Sequence, residues 1–143
     1  PKLLIVDEPT AGLDPTERHR FLNLLGEIGQ DIVVILSTHI VEDVRELCHA
    51  MAIINKGRVV LSGDPREIVA ALDGRIWRKT VSKQELAAIT ATHDVISSQL
   101  LAGIPVVHVY SDAPPGDGFS PIEPDLEDVY FHQLRLTDQP AAA

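Results

Sequence analysis

Apolar positions along this chain fall into runs of two kinds. Residues 3–6 and 32–36 are unbroken apolar stretches rich in Ile and Val, with the length and composition of strands buried on both faces. Between them Phe21, Leu22, Leu24, Leu25 and Ile28 recur at spacings of three and four, the stripe of an amphipathic helix. Asp14-Pro15-Thr16-Glu17 supplies an N-cap acceptor, proline at the first helical position and a carboxylate at the third. A helix is therefore predicted over 15–28, with Gly29 as its stop and a strand over 32–37 after it. Strand, helix, strand in this form predicts a parallel crossover unit.

Further on, Ile40, Val44, Leu47 and Cys48 predict a short amphipathic helix whose other face, with Glu42, Asp43 and Glu46, is expected in solvent. Residues 50–55 and 58–62 flank Lys56-Gly57 as a hairpin. Asp64-Pro65-Arg66-Glu67 repeats the helix-start chemistry, and Ile68, Val69 and Leu72 give that helix its apolar side. From Arg75 the pattern changes. A strand is predicted over 75–81, then a helix opened by the capping box Ser82-Lys83-Gln84-Glu85 and running through Leu86 and Ile89. Strands over 95–101 and 104–110 pair around Ala102-Gly103, and 112–124, rich in Pro, Gly and Asp, is expected to be a mobile loop. Leu126, Val129, Tyr130 and Leu134 form one helix face, and 137–143 is expected to be a frayed tail. The organisation expected is an α/β unit over 1–74, a small α+β domain over 75–136, half of a ferredoxin-like unit, and the tail.

Composition narrows the class. The chain has 143 residues, 45% of them hydrophobic, which suffices for one good core or two small ones. No apolar run approaches membrane-spanning length. A net charge of −9, spread over both halves, argues against a nucleic-acid partner. One cysteine, Cys48, excludes an internal disulfide and suits a reducing compartment, where a small buried thiol is expected rather than a nucleophile. The chain opens at Pro1 without an initiator Met, as expected of the C-terminal piece of a longer protein.

Candidate chemistry sits where the first two strands end. The run 3–6 leads straight into Asp7 and Glu8, and the second strand empties into Thr38-His39. Parallel strands point the same way, so two carboxylates and an imidazole are expected along one edge, the edge at which open α/β sheets place ligands. One carboxylate there can hold a divalent cation while its neighbour polarises a water. His93, His108 and His132 lie too far apart in this scheme for a metal site, and Tyr110, Tyr130 and Phe131 suit core packing better than a partner face.

These motifs resemble those of the ATP-binding cassette (ABC) ATPases. Residues 3–9 look like a Walker B strand with its adjoining glutamate, written Val6-Asp7-Glu8-Pro9 where Leu-Asp-Glu-Pro is usual; Ala11-Gly12-Leu13-Asp14 looks like a D-loop and Ser37-Thr38-His39 like the switch histidine. The resemblance implies the C-terminal half of a P-loop NTPase core over 1–74, with ATP and Mg²⁺ as cofactors of the full-length protein. It implies Asp7 as a metal-side residue holding Mg²⁺ through water, Glu8 orienting the attacking water, and His39 sensing the γ-phosphate. Asp14 either caps its helix or faces a second ATPase subunit, a homodimer partner. Leu126-Glu127-Asp128-Val129-Tyr130 resembles the segment that closes the C-terminal extension of drug-, antibiotic- and other exporter-type ATPases. The implied partner is a transmembrane permease, and the implied location is cytoplasmic, on the inner face of the cell membrane. A phosphate-binding Gly-x-x-x-x-Gly-Lys-Ser/Thr loop and a Leu-Ser-Gly-Gly-Gln signature are absent from these residues, so the piece alone is expected to bind Mg-ATP weakly or not at all. Two other classes stay open: a non-transport ABC ATPase, and a regulatory binding module in the C-terminal domain.

Overall fold

A computed structural model describes residues 1–138. Strands β1 (Leu3–Asp7) and β2 (Val33–Ser37) pair in parallel, in register from Leu3 against Val33 to Asp7 against Ser37. Helix α1 (Pro15–Ile28) joins them, capped by the Asp14 carboxylate, which accepts the Glu17 N–H at 2.8 Å. Gly29 ends α1 in right-handed backbone, φ −65°, so its value lies in space: a Cβ there would approach the Leu25 carbonyl oxygen to 3.2 Å. β2 starts one residue later than the apolar run because the Ile32 N–H still bonds the Ile28 carbonyl.

Burial along β1 and β2 alternates, and this corrects the expectation of strands covered on two faces. Leu3, Ile5, Val33 and Ile35 stand exposed on one face of the pair, Ile5 to 67%. Helix α2 (Val41–Leu47) follows, and it carries the second correction. Asp43, expected on a solvated face, is fully buried; its carboxylate accepts from the Thr10 hydroxyl and from Arg18 Nε at 2.7 Å.

By packing, the chain divides into two compact units, Pro1–Met51 and Ala52–Ala143. In the second, β3 (Met51–Asn55) and β4 (Arg58–Gly63) pair across Lys56-Gly57, whose φ values of 51° and 76° are those of the tight turn that suits twisted strands. Helix α3 (Pro65–Ala70), capped by Asp64, packs with β4 on the last helix, α5 (Leu126–Asp138), so the expected boundary after Gly74 lies within this unit.

β5 (Ile76–Thr80), α4 (Lys83–Thr92), β6 (Asp94–Leu101) and β7 (Ile104–Tyr110) form a split βαβ: β7 runs antiparallel between β5 and β6. Both halves of the Ser82–Glu85 capping box are made. The expected loop contains a short strand, β8 (Ser120–Pro121), pairing with β5 and giving the order β6-β7-β5-β8. Val81, Val107 and Val109 are buried with Leu86 and Ile89 of α4 and with Phe119. On the opposite face His108 and Tyr110 meet α5: His108 Nδ1 lies 2.6 Å from Asp128, and the Tyr110 ring stacks on His132 at 4.3 Å. β7 is thus covered on both faces, by α4 on one and by α5 on the other. Thr137 and Asp138 belong to α5, where Thr137 meets Asn55 and Asp138 meets Lys56; this corrects the start of the expected tail, and the rest of it lies outside the described residues.

Burial holds the His132 imidazole below its ordinary pKa against the pull of Asp94, and among the described residues its Nδ1 has no hydrogen-bond partner. The folded chain thus prefers neutral His132. The stability from this preference is whole above the unfolded value of about 6.5 and is lost as pH falls below it. The denaturant midpoint is expected to drop on acidification from neutrality to mildly acid pH, and to drop less in His132→Phe; equal slopes in the two proteins would refute the assignment.

Candidate active site

Register positions the site. With Asp7 opposite Ser37, the residues after them leave the pair at the same edge, and the Glu8 N–H extends the ladder by one bond to the Ser37 carbonyl at 2.7 Å. Glu8 itself takes left-handed backbone, φ 45°, an uncommon conformation for a residue with a side chain. It turns the chain sharply off the strand. The turn continues through the Ala11 N–H on the Glu8 carbonyl and the Leu13 N–H on the Thr10 carbonyl, ending at the Asp14 cap.

Two of the four residues singled out in the sequence come together here. His39 Nδ1 lies 3.0 Å from Glu8 Oε1, and both side chains face solvent, 72% and 49% exposed. Asp7, next to Glu8 in the chain, accepts a hydrogen bond from the Ser37 hydroxyl. The Thr38 hydroxyl accepts the Ile40 N–H at 2.9 Å, so the chain bends immediately after His39 and enters α2. Asp14 stands apart, its carboxylate engaged at the start of α1. What the sequence did not single out is the layer behind the pair: Thr10, Arg18 and Asp43. A carboxylate in the first turn of a short helix carries no sequence mark that separates a buried acid from a solvated one.

The exposed Asp7–Glu8 pair suits a hard cation that keeps most of its water. Among the described residues no group of three His, Cys, Asp or Glu side chains could hold a metal ion. Mg²⁺ fits such a rim, since it takes one or two carboxylates and fills the remaining positions with water and phosphate oxygens. Burial pushes the Cys48 thiol up, Asp43 adding to it, which disfavours the reactive thiolate. Burial also raises Asp125. Against the same burial, the hydrogen bonds from His108 and from the Asp125 N–H hold Asp128 below the ordinary carboxylate range. His93 is bound to the Pro115 carbonyl at 3.0 Å.

No family model matches the chain. It is 32% identical over 150 residues to the Nod factor export ATP-binding protein I of Rhizobium meliloti, covering 96% of this chain and 43% of that protein. It is 41% identical over 69 residues to the energy-coupling factor transporter ATP-binding protein EcfA2 of Streptococcus thermophilus, covering 48% of this chain and 25% of that protein. Among solved structures, cbiO1 from Clostridium perfringens, part of the ABC transporter complex cbiONQ, is 42% identical with a TM-score of 0.46, covering 49% of this chain and 29% of that one. The chain thus spans between a quarter and under half the length of the relatives it matches. Similar over nearly its whole length to one ABC transporter ATP-binding protein and over about half of it to another, the chain belongs to the ATP-binding cassette ATPases, as part of one.

Proposed function

We propose that this chain is the Walker B to C-terminal part of the ATP-hydrolysing subunit of an ABC exporter, with 1–74 as cassette core and 75–136 as the appended domain. The observation that carries it is the 3.0 Å approach of His39 to Glu8 at the ends of two parallel strands. Glu8 orients and deprotonates the attacking water, and His39 bonds both Glu8 and the γ-phosphate. Asp7 holds Mg²⁺ through water, and the ion, when bound, neutralises charge on the triphosphate. Export is supported by the match to a protein named for export that runs through both units of this chain. The subunit acts on the cytoplasmic side as a homodimer against a membrane permease. No helix among the described residues is long and apolar enough to cross a membrane, so the proposal assigns the crossing to that partner. The open apolar face at Leu3, Ile5, Val33 and Ile35 belongs against the rest of the cassette, since parallel sheets are covered on both sides.

In the intact protein Glu8→Gln is expected to lower kcat by about a hundredfold or more while nucleotide binding persists, the effect of removing a general base. Unchanged hydrolysis would refute the role. Titration calorimetry of residues 1–143 alone with Mg-ATP is expected to show no tight binding; a micromolar Kd would show that the phosphate loop is dispensable. Asparagine caps helices as well as aspartate does. Asp14→Asn is therefore expected to keep the melting temperature and to weaken ATP-dependent dimerisation, measured by light scattering; intact dimerisation would leave Asp14 with the cap alone.

A further inference from the structure

We propose that Asp43 is a positioning residue: its buried carboxylate ties the turn carrying Glu8 to the helix that follows His39, and so sets the distance between them. Its link to turnover rests on the ATPase function proposed above. Glu8 and His39 are exposed, on rotatable side chains, and their backbones belong to different strands. Past the strand ends, the chain from Glu8 reaches Thr10 after two residues, and the chain from His39 reaches Asp43 after four. There the two are joined again. The Thr10 hydroxyl donates to Asp43 Oδ2, while Arg18, in the first turns of α1, donates from Nε to Oδ1 at 2.7 Å and brings Nη2 to within 2.5 Å of the same oxygen. Arg18 also reaches Glu46, one turn further along α2, at 3.7 Å.

The links close a loop from the end of β1 through Thr10 and Asp43 to the end of β2, with the Glu8–His39 contact on its solvent side. A directional bond to a buried charge fixes a separation that apolar packing would leave adjustable. Thr10 is itself buried, so removing its hydroxyl leaves one carboxylate oxygen without a donor away from water.

The test uses the intact ATPase that carries this chain, with Thr10→Val, which keeps the shape and loses the donor, and Thr10→Ser, which keeps the donor. Crystal structures read the Glu8–His39 distance independently of turnover. In Thr10→Val the contact is expected to open beyond hydrogen-bonding reach, about 3.5 Å. kcat is expected to fall about tenfold, as small misplacements of reacting groups do, with KM for ATP changed by less than about twofold. Thr10→Ser is expected to restore both. If Thr10→Val does not fold, Asp43→Asn is read by the same distance and the same split of kcat from KM. A closed pair in the variant that lacks the donor, or a serine variant as impaired as the valine one, overturns the clamp. An intact wild-type protein that does not hydrolyse ATP, with the pair opening in Thr10→Val, overturns the ATPase assignment and leaves the clamp standing.

Discussion

Parallel pairing of two five-residue strands is the constraint on which the site depends. A pair this short is marginal alone, and its register could slip by one residue only by turning every side chain to the opposite face. Such a slip of β2 would expose Val34 and Leu36 and draw Val33 and Ile35 inward. It would also break the pairing of Asp7 with Ser37 that starts both exits from the sheet together. Glu8 and the His39 imidazole meet because direction and register are both fixed before either side chain is reached. The added bond from the Glu8 N–H to the Ser37 carbonyl carries this order one residue beyond the strand, at the expense of left-handed backbone at Glu8.

Much of this was legible because the deciding signals are local. Asp14-Pro15-Thr16-Glu17 and Ser82-Lys83-Gln84-Glu85 each specify a helix start through hydrogen bonds spanning three residues, and both starts lie where those residues place them. The unbroken apolar runs of residues 3–6 and 32–36 specified two parallel strands, and β1 and β2 are those strands. The same signal misled about their cover. A run of four or five apolar residues reports that both faces avoid water in the whole assembly, not that the cover lies within this stretch of chain.

Tertiary pairing was the part that could not be read. Asp43 and Asp128 each occupy the third position of a helix, where a carboxylate is favoured by the free N–H groups and reads as ordinary surface chemistry. Both are buried. Asp43 finds its donors on Thr10 and Arg18, and Asp128 finds His108 on β7, residues 33, 25 and 20 positions away. Nothing in the local pattern names those partners. β8 was illegible for a related reason, since two residues in a Pro- and Gly-rich segment become a strand only because β5 offers them a free edge.

The chain holds two acid–imidazole pairs, and their surroundings separate their uses. His108 and Asp128 approach to 2.6 Å with the carboxylate buried, and Asp128 also receives the Asp125 N–H, so its oxygens are already spent on partners within the fold. A ligand could reach that pair only by breaking bonds that hold α5 to the sheet. His39 and Glu8 approach less closely, in the open, and each keeps hydrogen-bonding capacity directed at solvent. Rigidity there comes from behind, through backbone bonds and the buried Asp43, and not from burying the reactive groups themselves. The ATPase function proposed above requires that division, with fixed backbones beneath side chains that still have bonds to offer.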